Sequence, residues 1–168
     1  MTMPIHTTNC INLKRPTTFP YAWSFGYVNN ADQSSVTGDG SVYQVTFADA
    51  IWDNIGFDGS TLTVSQEGNY VLGVSLYFSG ITTAMTDSYI YIVADGVTYR
   101  LTKEDFSPGQ SASGICAYSN TILAPMTAAS TATVHVCFAN GAKVVSIPGA
   151  TSTGYRTPYF YGYLLSEV

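Results

Sequence analysis

Alternation constrains this chain more than any other feature. Over residues 70–78 every second side chain is large and apolar, so Tyr70, Leu72, Val74, Leu76 and Phe78 share one side. A period of two is the signature of an extended strand with one buried face. The same pattern recurs along the chain. Trp23, Phe25 and Tyr27 alternate with Ser24 and Gly26 over 21–27, and Val45 and Phe47 mark a run over 42–47. Leu62 and Val64 oppose Thr61, Thr63 and Ser65, and Glu67-Gly68 reads as a tight turn. Runs 89–93 and 97–101 are joined by Asp95-Gly96, the dipeptide that most favours a two-residue hairpin. Further runs cover 114–123 and 133–139, where Val134, Val136 and Phe138 oppose His135 and Cys137. Asn140-Gly141 turns the chain into 143–147, and 159–165 closes it. Between the runs, residues 29–40 have turn chemistry, 51–58 read as a bulged connection carrying Trp52 and Phe57, and 103–113 and 148–158 read as loops. No long stretch carries a helical period. Short strands punctuated by Gly and Asn predict an all-β, two-sheet antiparallel sandwich.

At 168 residues the chain is the size of one domain. Residues 1–20 hold Pro4, Pro16 and Pro20 and no sustained period, so they read as a leader or shaft-joining tail. Residues 21–168 form the predicted head. Charged residues are only 10% of the chain, so its polar surface must come from hydroxyls and amides, including those of thirteen tyrosines. A net charge of −5 with six Lys and Arg excludes the basic footprint of a nucleic-acid binder and gives no attraction to an anionic membrane. No apolar run reaches the length of a membrane span, so no membrane insertion is expected. Residues 1–20 lack the apolar stretch of a secretory signal. If the protein leaves its cell without such a signal, release by lysis would fit, and the expected place is a virion surface or extracellular. Cys10, Cys116 and Cys137 are too few for a disulfide framework, and buried free thiols are the plain reading. A Cys116–Cys137 bridge stays open.

The segment 57–78 contains Val64, Gly68 and Tyr70 in the spacing apolar-x-x-x-Gly-x-Tyr, running into the long alternating strand. Near the C-terminus stands Phe160-Tyr161-Gly162-Tyr163-Leu164-Leu165, and in between Thr121-Ile122-Leu123-Ala124-Pro125. In order and spacing these segments resemble the jelly-roll heads of the tumour necrosis factor and complement globular-head superfamily, over roughly residues 21–168. The sequence departs from that pattern at Met126-Thr127-Ala128-Ala129-Ser130, where the family commonly has an apolar-x-x-Gly-Asp turn. The resemblance implies a jelly roll of about ten strands that assembles as a homotrimer, with aromatics of one sheet at the three-fold axis. By position these are Tyr159, Phe160, Tyr161 and Tyr163. The residues give a separate argument. A strand aromatic on both faces cannot hide both in one core, and a large exposed aromatic patch usually marks an interface.

Catalytic chemistry finds little footing. His135 and Cys137 stand two apart on one strand, about 7 Å from each other and parallel, a poor geometry for proton transfer. No hydrolase, metalloprotease or phosphate-loop motif occurs. The expectation is a non-enzyme with no catalytic residue and no cofactor. The loop carboxylates Asp32, Asp39, Asp53 and Asp58 do not follow a calcium-loop pattern, so no metal site is assigned. Lys103, Glu104 and Asp105 form the densest charge cluster and are the candidate recognition loop. Together these readings point to a trimeric binding or adhesion head at the tip of a phage or viral fibre or bacterial filament. Its partner would be a glycan or protein receptor on a host cell. The alternatives are a structural virion jelly roll with no receptor of its own, and a jelly-roll enzyme or lectin-type module.

Overall fold

The computed structural model describes residues 23–105, 114–154 and 157–167. The expected leader, Cys10, His6 and residues 106–113 of the polar loop lie outside the described residues. The described chain folds as β1 (Ser24–Val28), β2 (Gln33–Thr37), β3 (Val42–Gln44), β4 (Asp49–Asp53), β5 (Leu62–Thr63), β6 (Gly68–Phe78), β7 (Asp87–Ala94), β8 (Val97–Glu104), β9 (Cys116–Met126), β10 (Thr131–Ala139), β11 (Val145–Ile147), a single helical turn α1 (Ala150–Thr153), and β12 (Tyr159–Glu167).

These strands make two main antiparallel sheets. The first has the order β4-β1-β12-β6-β9. The second has the order β3-β10-β7-β8, with β5 added to β10, and a small ribbon pairs β11 with β2. The alternating residues named from the sequence fill the space between the sheets. Tyr70, Leu72, Val74, Leu76 and Phe78 of β6 are all fully buried, as are Ile90 and Ile92 of β7 and Val136 and Phe138 of β10. Phe78 meets Phe138 edge-to-face across the two sheets, with ring centroids 4.9 Å apart. A second aromatic knot joins Phe160 to Phe25, Phe47 and Phe57 at 5.0, 5.4 and 5.7 Å. The Asp95-Gly96 hairpin forms as expected, with both residues at positive φ (50° and 73°), as a primed turn requires.

Several expectations need correction. Residues 33–37, read as turn chemistry, form β2, and β4 (Asp49–Asp53) at the rim of the first sheet takes in residues 51–53 of the supposed bulged connection 51–58. Gly68 is not a turn glycine. It opens β6 and is buried under β12, where a Cβ would come within 2.5 Å of Leu164 Cδ1 and closer still to the Ser166 carbonyl. Its smallness permits close strand approach. Tyr70 does plug the core, fully buried with its hydroxyl donating to the Gln66 carbonyl at 2.7 Å. Cys116 and Cys137 are both free thiols, standing on β9 and β10 in different sheets, so the open bridge is not made.

Candidate functional site

The fold presents two outer faces, and the predicted residues divide between them and the core. On the first sheet, Tyr159, Tyr161 and Tyr163 point outward, half-buried, while Phe160 between them points inward and is 0% exposed. Phe160 therefore leaves the set of candidate interface residues, because strand alternation commits it to the core.

The outward face of the first sheet is built from a single cross-strand row. Trp52 of β4 pairs with Gly26 of β1, Gly26 with Tyr161 of β12, Tyr161 with Gly73 of β6, and Gly73 with Thr121 of β9. Large and small residues alternate across all five strands. The rings use the space the glycines leave. Trp52 lies over Gly26, where a Cβ would sit 2.5–2.7 Å from the indole, and the Tyr161 ring occupies the place a Gly73 Cβ would take. Tyr159 stacks on Tyr161 at 5.3 Å and meets Trp52 edge-on at 6.3 Å. The Tyr161 hydroxyl shares a 3.1 Å hydrogen bond with Thr121 Oγ1. The result is a flat, ring-paved wall rather than a cleft. Trp52 is 41% exposed and Leu123, also on this face, 54%. β1, β6 and β9 contain no Asp, Glu, Lys or Arg at all, and β12 has only its last residue, Glu167. Trp52, placed by the sequence in a bulged connection, was not among the expected interface residues. The signal that points to it is a pair of glycines, Gly26 and Gly73, inside otherwise strong strands.

The second sheet turns a different face outward. His135 of β10 stacks on its cross-strand neighbour Tyr91 of β7, with centroids 5.1 Å apart and planes at 11°. Its Nε2 lies 2.9 Å from Thr133 Oγ1, and its Nδ1 is buried without a hydrogen-bond partner. Burial holds the imidazole below its ordinary pKa. Cys137 is buried beside it, and its thiol donates to the Gly40 carbonyl at 3.4 Å. Burial first, and then the Asp87 and Asp39 carboxylates, push that thiol up. A thiol so held is not a thiolate nucleophile.

Lys103 and Glu104 do not sit on a loop tip. They end β8, and Asp105 follows them. Lys103 Nζ lies 3.9 Å from Asp87 Oδ1 and 5.4 Å from the centre of the Tyr89 ring, and the same ring carries the Arg100 guanidinium at 5.1 Å. The Tyr89 hydroxyl donates to Asp87 at 2.6 Å.

The loop carboxylates hold turns. Asp58 accepts from the Ser60 and Thr61 amides at 2.8 and 2.6 Å, which lowers its pKa. Asp39 is lowered by the Ser41 hydroxyl and then by the Ser41 amide, and Asp32 by the Ser152 hydroxyl and then by the Gly149 amide. Asp53 is raised by burial but brought net lower by the Ile55 and Gly56 amides and the Tyr27 hydroxyl. Among the described residues no group of three or more His, Cys, Asp or Glu could hold a metal ion. A cleft of about 270 Å³ lies between the ends of β8 and β9, lined by residues including Val97, Tyr99, Pro125 and Met126. The acids that also line it are Glu67 and Asp95, and Asp95 accepts from the amide and hydroxyl of Thr127 at 3.1 Å.

No protein-family model matches the sequence, and no curated protein does. Solved structures do match the fold. The globular domain of zebrafish complement 1qA superposes with a TM-score of 0.55 at 14% identity, over 87% of this chain and 99% of that one. Murine APRIL at pH 5.0 gives 0.54 at 12% identity, over 85% and 98%, and at pH 8.5 it gives 0.51 at 15%, over 87% and 98%. Identities this low speak to architecture alone. That architecture, two antiparallel sheets with the chain's last strand at the centre of the first, is the jelly roll of the tumour necrosis factor and complement globular heads.

Proposed function

We infer that this chain is a homotrimeric binding head. The observation that carries the reading is the ring-paved wall of the first sheet, three of whose five strands, β1, β6 and β9, carry no charged residue. A soluble protein rarely leaves so continuous an aromatic face in water, and interface cores are enriched in Tyr and Trp and depleted of charge. Tyr159, Tyr161 and Tyr163 with Trp52 are the proposed contact residues between copies. The three-fold symmetry follows from the jelly-roll resemblance, in which this sheet faces the axis. With the first sheet turned inward, the second sheet is the surface left for a partner. Three weak sites on one particle gain avidity without any new contact.

The finer reading is a receptor-binding tip of a phage or viral fibre or bacterial surface filament, working at a virion surface or outside a cell. It rests on the charge-poor, hydroxyl-rich composition and on the three prolines of residues 1–20. The decisive experiment is light scattering over a dilution series. A particle of three times the 18.0 kDa chain mass is expected at micromolar concentration. A clean protomer there would overturn the reading. A screen against host cells separates a binding head from a structural virion protein, which would bind none.

A further inference from the structure

We propose that the Arg100–Lys103 pair on the outer face of the second sheet is a binding site for the carboxylate of an acidic saccharide. The described residues contain only three Lys or Arg, and two of them converge on one tyrosine. Strict alternation would send residues 100 and 103 to opposite faces of β8. A register shift prevents this. Tyr89 pairs with Lys103 and Ile90 with Thr102, but Tyr91 pairs with Arg100, so Leu101 is an extra residue in β8. A bulge of this kind re-aims the side chains beyond it. Here it brings both cations onto the face shared with Tyr89 and Tyr91.

The bulge is held from outside its own sheet. The Leu101 carbonyl accepts from the Tyr118 hydroxyl at 2.7 Å and from Asn120 Nδ2 at 3.3 Å, and Asn120 Nδ2 also donates to the Tyr118 hydroxyl at 2.9 Å. The bulge thus fixes where the two side chains leave the strand, and the Tyr89 ring lies against both cations. One carboxylate, Asp87, pairs with Lys103. Among the described residues Arg100 has none. Asp105 lies two residues beyond Lys103, so the cation of the pair that is left to meet a ligand anion is the Arg100 guanidinium.

The chemistry of the neighbours selects the ligand. Thr98, Tyr91, Thr133 and Gln44 extend the face beyond the cations, supplying hydroxyls and an amide on a flat surface. Arginine offers a planar fork matched to one carboxylate. A compact anion on a hydroxyl-rich body fits this arrangement. A polyanion does not, because the chain's overall charge and Asp87 oppose it. The inference rests on the reading of the chain as a binding head, but the site lies within one protomer and does not need the three-fold assembly.

Calorimetric titration of the full chain with sialyllactose, lactose and a tri-aspartate peptide tests it, with light scattering recorded on the same samples. Sialyllactose is expected to bind saturably and lactose not to bind. Arg100→Gln should weaken sialyllactose about tenfold or more, the loss of a charge-assisted bidentate contact. Lys103→Gln should weaken it less, since Asp87 already shares that ammonium. Tyr118→Phe, which frees the bulge and leaves both cations, should weaken it with an unchanged circular dichroism spectrum. No heat with sialyllactose, equal binding of lactose, equal or tighter binding of the peptide, or unchanged affinity in Arg100→Gln would each overturn the assignment. A protomeric mass with sialyllactose still bound would overturn the trimer and leave the site standing.

Discussion

Replacing Phe160 and Tyr161 by alanine, one at a time, should produce two different failures, because these neighbours leave β12 in opposite directions. Phe160 is fully buried among Phe25, Phe47 and Phe57. Truncating a buried phenylalanine costs about 3–5 kcal/mol in lost transfer energy and residual cavity. The surrounding rings come from separate parts of the chain and cannot all close on the gap, so the upper half of that range is expected. Against a domain stability of about 5–15 kcal/mol, this is a third or more of the total. For a chain of this size it corresponds to a fall in melting temperature of roughly 10 °C. Tyr161→Ala leaves the core intact. It removes the ring that covers Gly73 and bridges to Thr121, and its effect should fall on association. A central interface aromatic contributes about 2 kcal/mol per copy, so three copies lose about 6 kcal/mol, roughly four powers of ten in the assembly constant. The midpoint of a protomer–trimer equilibrium varies as the inverse square root of that constant. The midpoint concentration should therefore rise about a hundredfold. The assays are urea unfolding followed by tryptophan fluorescence and sedimentation equilibrium, both run across a wide concentration range. Assembly itself adds to apparent stability, so concentration separates the two variants. The Phe160→Ala loss should be the same at every concentration, and the Tyr161→Ala loss should vanish on dilution. The opposite assignment would refute the placement of the two faces.

Two further outcomes follow from local geometry. His135 is held below its ordinary pKa by burial, with Tyr91 stacked on it and Cys137 and Thr133 beside it on β10, so the fold favours the neutral imidazole. Its contribution is complete above the unfolded value of about 6.5 and is lost as pH falls through the lower folded value, so the urea midpoint should drop over a window that opens at about pH 6.5 and closes at that lower value. The lowered carboxylates Asp32, Asp39, Asp53 and Asp58 act only below that window, and an unchanged slope in His135→Gln would refute the assignment. Gly68→Ala should cost about 1–3 kcal/mol by overpacking against Leu164 and Ser166, read as a shift in urea midpoint at constant m-value; a neutral substitution would show that β12 can yield there.

The strands that bury one apolar face were legible because water and core impose period two on them directly. Residues 70–78 and 133–139 and the Asp95-Gly96 hairpin lie where alternation and turn chemistry put them. β2 was not legible. Its Gln-Ser-Ser-Val-Thr is mostly polar, and it is held by a partner ribbon and by Thr37, whose Oγ1 accepts from the Phe138 amide at 3.0 Å. Such a strand exists only through contacts distant in sequence. β4 was hidden for a related reason, since the β1–β4 pairing is irregular between Gly26 and Tyr27. The orientation of β12 could not be read because both of its faces are aromatic, so alternation alone did not say which went inward. Phe160 was resolved only by the partners that surround it. The Arg100–Lys103 pairing was invisible because it depends on an extra residue, Leu101, that nothing in the local sequence announces.

β9 runs for eleven residues along the rim of the first sheet and carries no charged side chain. Soluble proteins usually guard such a rim with lysines, prolines or brevity, and here only Pro125, near the end, does so. A freshly folded copy therefore shows the solvent a template for strand addition beside a flat ring-paved wall. On the assembly inferred above, the single copy is the hazardous species and the closed particle the safe one. Survival in a crowded cell then becomes a race, in which copies must find one another in the correct geometry before an open rim recruits a stray strand.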